Sequence, residues 1–218
     1  MQKRHRVFIA INFPEDIKRA LEKRQKSIQS MFADLGNGQF GEIMKWTGKD
    51  NLHITLEFLG DLTDVEIADV CKIAGEVAKR HRSFSINLNK ICYDSAASLA
   101  RHRAFCGELS SPQKAGRVPK MIWTVGERVY ELAELKEDLQ ELLVEKVSYR
   151  PEHKGFVPHI TLARIKEWEF KKIEPDERSE VNEDIDLVFT VESIEVMESQ
   201  LKRGGPVYTI LESCELKA

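Results

Sequence analysis

The sequence contains no long apolar run. No hydrophobic stretch approaches the roughly 20 residues that a membrane-spanning helix requires, so we expect no membrane partner. The first apolar run, Val7–Ile11, is too short for the core of a signal peptide, and no small-residue cleavage site follows it. These absences predict a cytoplasmic protein.

Cysteines are few and scattered. Cys71, Cys92, Cys106 and Cys214 form no C-x-x-C pair, which in a reducing compartment favours buried or free thiols. His102 and Cys106 are spaced like a fragment of a zinc site but lack the second pair that would complete it. The sequence also lacks an acidic cluster suited to magnesium. We therefore expect no metal ion and no other cofactor.

A strong positive charge is missing as well. The net charge of −3 at pH 7 excludes a nucleic-acid binder whose whole surface is basic. If the protein handles nucleic acid, it should hold a small part of it, such as one end. The 218 residues, 42% hydrophobic and 32% charged, are typical of one soluble domain or one domain with two lobes, and a monomer is expected.

What the sequence does contain is one four-residue stretch used twice. His53–Leu56 and His159–Leu162 both consist of His-Ile-Thr-Leu. Each copy lies in a short apolar run that predicts a strand, at Leu52–Leu59 and Phe156–Ile165. Alternate side chains of a strand share a face, so each histidine lies on the same face as the threonine two positions later.

A single copy would be an ordinary half-buried strand, but two identical copies favour a site for acid–base chemistry on an anionic group. Histidine titrates at about pH 6.5. His53 and His159 can therefore supply one base and one acid near neutral pH. The hydroxyls of Thr55 and Thr161 can donate to the oxygens of such an anion and stabilise the charge of a transition state.

The rest of the pattern predicts strands and helices around these motifs. Apolar residues at helical spacing predict three helices, which begin near Pro14, Val65 and Val129. Alternation predicts one long strand at Leu187–Ser199, a turn at residues 202–206 and a final strand. The order predicts an α+β protein of two similar lobes, each a mostly antiparallel sheet with helices on its outer face and the motif strands lining the cleft between them.

No Pro- or Ser-rich linker separates the halves, so we predict a single bilobal domain over residues 1–218. The pattern breaks at residues 94–120, where basic side chains outnumber acidic ones. Long loops in compact domains are functional or disordered. We expect a disordered basic loop insertion here, with a flap that contacts RNA as the alternative.

These residues resemble a known family, the 2H phosphoesterases, which are named for two His-x-Thr motifs. The chain is most similar to the RNA 2′,3′-cyclic phosphodiesterase branch, also called 2′-5′ RNA ligase-like proteins. The matching segments run nearly end to end: Arg6–Ile11, Lys45-Trp46, Asn51–Gly60, Pro158–Arg164, Ser199-x-Leu201 and Gly205-Pro206-x-Tyr208. The 94–120 stretch departs from the family pattern because it is longer.

The resemblance implies a bilobal 2H phosphoesterase-like fold and metal-free hydrolysis of a 2′,3′-cyclic phosphodiester at an RNA 3′ end to a 2′-phosphomonoester. It implies that His53 is the proton donor and His159 the acceptor, an order that the residues alone do not fix. Arg164 is a candidate phosphate clamp because its guanidinium is planar and positive. It lies five positions after His159, and an odd offset on a regular strand points to the opposite face, so this role needs a bulge or the end of the strand.

Several alternatives stay open. Besides RNA 3′ ends, the substrate could be a small cyclic nucleotide or a 2′-5′ linked RNA, with reverse ligation as a further activity. A non-catalytic RNA-binding module is the third possibility, and the two intact motifs count against it. Tyr208 and Trp46 are candidates for stacking on a base, although aromatic residues at strand ends are more often part of the core.

Overall fold

The computed structural model describes residues 3–33, 43–94, 118–147, 149–151 and 156–218. Most of the predicted insertion, including His102 and Cys106, lies outside these ranges. The described strands are β1 His5–Asn12, β2 Met44–Trp46, β3 His53–Leu62, β4 Phe84–Tyr93, β5 Met121–Gly126, β6 His159–Ile165, β7 Asn182–Val191, β8 Ser193–Lys202 and β9 Gly205–Glu215. The α-helices are α1 Glu15–Ala33, α2 Asp64–Ala78, α3 Tyr130–Lys146 and the short α4 Glu167–Phe170. None of the helices in the described ranges is long and apolar enough to cross a membrane.

The strands form one antiparallel sheet in the order β7-β4-β5-β6-β3-β1-β8-β9, with β2 paired to β6. The predicted α+β class with antiparallel strands is confirmed. Instead of two separate sheets, however, there are two halves, β7-β4-β5-β6 with β2 and β3-β1-β8-β9, joined where β3 and β6 pair through Ile54 and Ile160. This pairing and that of β2 with β6 cover part of the inner edges of the motif strands, which two separate sheets would leave unpaired.

The prediction of one long strand at Leu187–Ser199 is wrong. The chain forms two strands that separate at Glu192, and β7 pairs with β4 in one half while β8 pairs with β1 in the other. The buried apolar residues change phase at this break, from odd positions at Phe189 and Val191 to even positions at Ile194 and Val196. The following turn is confirmed as the β8–β9 hairpin, where Gly205 has a φ of +127°, a conformation that other residues rarely adopt.

One continuous core covers a single face of the sheet. It includes the isoleucine and leucine of both motifs and helix residues such as Leu21 of α1, Val77 of α2 and Leu139 of α3. Each long helix thus buries its apolar stripe on the sheet, as helical spacing of those residues requires. The histidines and threonines alternate with the buried motif residues and therefore lie on the opposite face.

Candidate active site

The first motif strand contains a bulge at its leucine. Thr55 lies opposite Ala10 of β1, and Glu57 lies opposite Ile9. Two residues of β3 thus span the distance of one residue of β1, and Leu56 is the extra residue. Such a bulge bends the strand and changes which side chains share a face beyond it.

The second motif strand repeats this irregularity at the matching leucine. Thr161 lies opposite Trp123 of β5, and Ala163 lies opposite Ile122, so Leu162 is the extra residue. The four-residue repeat in the sequence is therefore also a repeat in backbone geometry. It places a His-Thr pair before a bulge in each half of the sheet.

The bulge meets the geometric condition for Arg164. After Leu162 the face alternation shifts by one position, so Arg164 lies opposite Met121. Met121 is two residues from Trp123, the partner of Thr161, and therefore lies on the same face. Arg164 is exposed, and its Nη1 lies 3.7 Å from the sulfur of Met121. The guanidinium thus lies on the face of the second His-Thr pair.

The two imidazoles are held in the same way. Nδ1 of His53 lies 2.8 Å from the carbonyl oxygen of Asn51, and Nδ1 of His159 lies 2.9 Å from that of Val157. A carbonyl oxygen only accepts, so each Nδ1 carries a proton and donates it. Nε2 of each ring remains as the nitrogen that can exchange a proton with a substrate. In the first half, Nε2 of His53 lies 3.0 Å from the hydroxyl oxygen of Thr55.

Aromatic side chains pack against both histidines. The ring of His159 stacks on Trp123, with a centroid distance of 4.1 Å and an interplanar angle of 31°. The ring of His53 contacts Phe8 at 5.0 Å and the edge of Tyr208 at 5.2 Å. These contacts fix both rings and exclude water from one side of each.

The surroundings lower the pKa of both histidines, and burial is the largest cause. The carbonyls of Asn51 and Val157 act in the opposite direction in both cases. The remaining charges differ between the halves: a positive charge on His159 further lowers the pKa of His53, whereas the carboxylate of Asp94 raises that of His159. Asp94 is held in place by accepting from the backbone N–H groups of Lys120 and Met121 at 2.7 and 2.9 Å.

Sequence reasoning missed Phe58. This residue follows His53 by five positions, as Arg164 follows His159, and the bulge at Leu56 places it opposite Phe8 on the His53 face. The residue is 65% exposed, which is unusual for a phenylalanine, although its ring lies 6.1 Å from that of Phe8. Aligning the two copies of the motif at equal offsets would have revealed it.

The two other aromatic candidates have different surroundings. Trp46 packs against the main core. Tyr208 lies on the site face, where it contacts Phe8 at a centroid distance of 5.0 Å. Burial raises the pKa of Tyr208, while the positive charges of Arg164 and Arg6 lower it, so both guanidinium groups influence this end of the site. Within the described ranges, no three His, Cys, Asp or Glu side chains are grouped so that they could hold a metal ion.

Comparison with protein families gives a match to the LigT-like phosphoesterases over residues 13–96 and 125–208. The first segment contains His53 and the second contains His159. The chain belongs to the LigT-like phosphoesterase family. The resemblance to the 2H phosphoesterases, drawn above from the two His-x-Thr motifs, is thereby confirmed.

Similar proteins cover most of the chain or nearly all of it. A Thermotoga maritima protein named RNA 2′,3′-cyclic phosphodiesterase is 27% identical over 216 residues, which are 97% of this chain and 96% of the relative. An Aquifex aeolicus protein of the same name is 28% identical over 173 residues, 77% of this chain and 79% of the relative. A crystal structure of a Thermus thermophilus protein superimposes with a TM-score of 0.71 at 25% identity and covers 97% of this chain and 98% of that one. Escherichia coli LigT complexed with 3′-AMP has the same fold, with a TM-score of 0.69 at 18% identity and coverage of 99% and 100%.

Proposed function

We propose that this LigT-like phosphoesterase hydrolyses 2′,3′-cyclic phosphodiesters at RNA 3′ ends to 2′-phosphomonoesters. The observation that carries the proposal is the pair of histidines on adjoining strands, each with Nδ1–H bound to a carbonyl and Nε2 available. Relatives with the name RNA 2′,3′-cyclic phosphodiesterase that align over most of the chain support the substrate class.

The reaction uses the two rings as an acid and a base. Nε2 of neutral His159 accepts a proton from a water molecule, which attacks phosphorus on the side opposite the 3′ oxygen. The bond between phosphorus and the 3′ oxygen breaks, and Nε2–H of protonated His53 gives its proton to that oxygen. The phosphate remains on the 2′ oxygen, and proton exchange with solvent restores both rings.

The threonine hydroxyls stabilise the negative charge that develops on the non-bridging oxygens. Thr55 already contacts Nε2 of His53 at 3.0 Å. When His53 is protonated, its Nε2–H becomes the donor in that contact, and the hydroxyl hydrogen of Thr55 is released toward the phosphate. Thr161 has the matching position on β6, and Arg164 supplies a positive charge on the same face.

The order of acid and base rests on the family resemblance. In the protein alone, the acidic group that favours a charged imidazole, Asp94, acts on His159 and not on His53. A bound phosphodiester adds a negative charge beside both rings and raises both pKa values, which offsets the effect of burial. Since the two histidines then titrate as a coupled pair, the pH profile alone does not assign the proton to either.

Product mapping tests both the reaction and the order. An RNA oligonucleotide with a 2′,3′-cyclic phosphate end is digested in the presence of EDTA, and the position of the product phosphate is determined by NMR. The expected product is a 2′-phosphate, formed at an unchanged rate in EDTA, because the donor set consists of imidazoles and hydroxyls. A 3′-phosphate product contradicts the assigned leaving group, and activity that EDTA abolishes and a metal restores contradicts the metal-free mechanism.

A parallel panel of 2′-5′ linked RNA and small cyclic nucleotides separates the proposal from its alternatives.

A further inference from the structure

The extra residue of each motif bulge has a backbone carbonyl that accepts a hydrogen bond from the side chain of a helix residue. The extra residue of a bulge loses its cross-strand partner, and a buried carbonyl without a partner is costly. The two extra residues, Leu56 and Leu162, are at most 3% exposed. The donors to these buried carbonyls therefore matter for the geometry of the bulges.

Each carbonyl receives a side-chain donor from a helix. Nζ of Lys136, on α3, lies 2.7 Å from the carbonyl oxygen of Leu56. Nε2 of Gln25, on α1, lies 2.9 Å from the carbonyl oxygen of Leu162, and the backbone N–H of Thr47 donates to the same oxygen at 2.9 Å. Both side chains also bind a second partner, which fixes their positions.

These links cross between the halves of the chain. The helix that precedes the first motif, α1, binds the bulge of the second motif. The helix that precedes the second motif, α3, binds the bulge of the first. Within the sheet the two motif strands are joined through one residue pair only, Ile54 and Ile160. The crossed links therefore add a second connection between the His-Thr pairs.

The surroundings of both donors favour a fixed geometry. Lys136 forms an ion pair with Glu57, and the two side chains are only 14% and 5% exposed. Gln140 and Tyr149 donate to the same carboxylate. Gln25 is 5% exposed and also donates to the carbonyl of Thr47 at 2.8 Å. Buried polar groups with several partners hold one arrangement, because any other leaves a group unsatisfied.

We propose that Gln25 and Lys136 are positioning residues of the site: each holds the His-Thr pair of the opposite half through the bulge carbonyl that follows the threonine. The proposal rests on the proposed function for its effect on rate. Small misplacement of catalytic groups lowers the chemical step more than binding, and about 1 Å can cost roughly a hundredfold. Gln25→Met should therefore lower kcat about tenfold to a hundredfold with KM nearly unchanged.

The decisive readout is independent of activity. The imidazole Cε1–H resonances of the protein are assigned by NMR and followed through a pH titration. Gln25→Met should shift the resonance and pKa of His159 and leave those of His53 unchanged. The double variant Lys136→Met/Glu57→Gln, which removes the donor without leaving a buried charge unpaired, should do the reverse.

Gln140→Met is the matched control, since Gln140 binds Glu57 but no bulge carbonyl. It should leave both histidine resonances in place. Three results overturn the proposal, even if the cyclic phosphodiesterase activity is confirmed. In these results the variants shift only the histidine in the half of the chain that contains the substituted donor, shift both histidines equally, or shift neither. If the double variant does not fold, the histidine resonances of Gln25→Met are compared with those of Gln140→Met, and a shift of His159 in the first variant alone supports the proposal. Absence of that activity in the wild-type protein overturns the proposed function. The Cε1–H resonances of His53 and His159 still test the crossed links in that case.

Discussion

The two halves of the site share a motif, a bulge and a ring geometry, yet they differ in what surrounds the histidine. At the fifth position after the histidine, the first half has an exposed Phe58 and the second half has Arg164. The charges differ too: His53 is influenced by the other histidine, whereas His159 is influenced by Asp94. The repeated residues thus set a common geometry, and the unrepeated neighbours give each half its own chemistry.

This comparison predicts a division of labour. The guanidinium of Arg164 suits the phosphate, because it offers several donors and a permanent charge. The ring of the exposed Phe58 suits a nucleobase, because every base can stack on an aromatic face. The catalytic step should depend on both halves equally, while recognition should be split between them.

The largest expected effect comes from removing either histidine. His53→Ala and His159→Ala should each lower kcat by about 10²–10⁴-fold or more, because acid and base act as one unit. The double variant should be little worse than either single one, and kcat on the cyclic-phosphate RNA measures this. His81→Gln is the control, since His81 binds Asp138 at 2.9 Å outside the motifs. Activity within a few-fold of wild type in either folded alanine variant contradicts the two-histidine mechanism.

The threonines should have the next largest effect. Thr55→Ala and Thr161→Ala each remove one donor to the phosphate, and loss of such a donor typically lowers kcat about 10²–10³-fold. Thr→Ser at the same positions keeps the hydroxyl and should be milder. Steady-state kinetics of the four variants test this, and equal losses from alanine and serine would mean that the methyl group, and therefore packing, matters most.

The comparison between Arg164 and Phe58 is sharpened by a substrate without a base. Arg164→Met should lower kcat/KM about tenfold to a hundredfold for both an RNA end and ribose 2′,3′-cyclic phosphate, since both present the same anion. Phe58→Ala should lower it about fivefold to a hundredfold for the RNA end and very little for the base-free substrate. If Phe58→Ala affects both substrates alike, the ring supports the fold of β3 and does not contact a base.

Part of the fold and of the candidate site could be predicted from the sequence, and part could not. The His-Thr pairs, their shared faces and the α+β class follow from local patterns in 53–56 and 159–162. The bulges at Leu56 and Leu162 depend on pairing with β1 and β5, which are distant in the chain. The sequence alone therefore does not determine the face of Arg164. The sequence does not reveal the donors Gln25 and Lys136 either, because a polar residue on a predicted helix is normally assigned to solvent.

The smallest effect concerns stability in acid. Burial lowers the pKa of both histidines in the folded protein below the value of about 6.5 expected for the unfolded chain. Below that pH the unfolded chain binds more protons than the folded one, so the free energy of unfolding falls as pH decreases toward the folded pKa values. His53→Gln and His159→Gln remove this contribution, and each should gain stability relative to wild type between pH 7 and pH 5 in urea unfolding.

The two halves should again differ in this measurement. The charge of His159 adds to the lowering for His53, whereas Asp94 opposes it for His159. His53→Gln should therefore flatten the acid dependence more than His159→Gln. Adding a 2′-phosphorylated nucleotide, which places an anion beside both rings, should raise both pKa values and reduce the difference between wild type and the variants. The opposite result is that the free energy of unfolding of the wild type rises relative to both variants as the pH falls. That result would show that the fold favours the charged imidazoles and not the neutral ones.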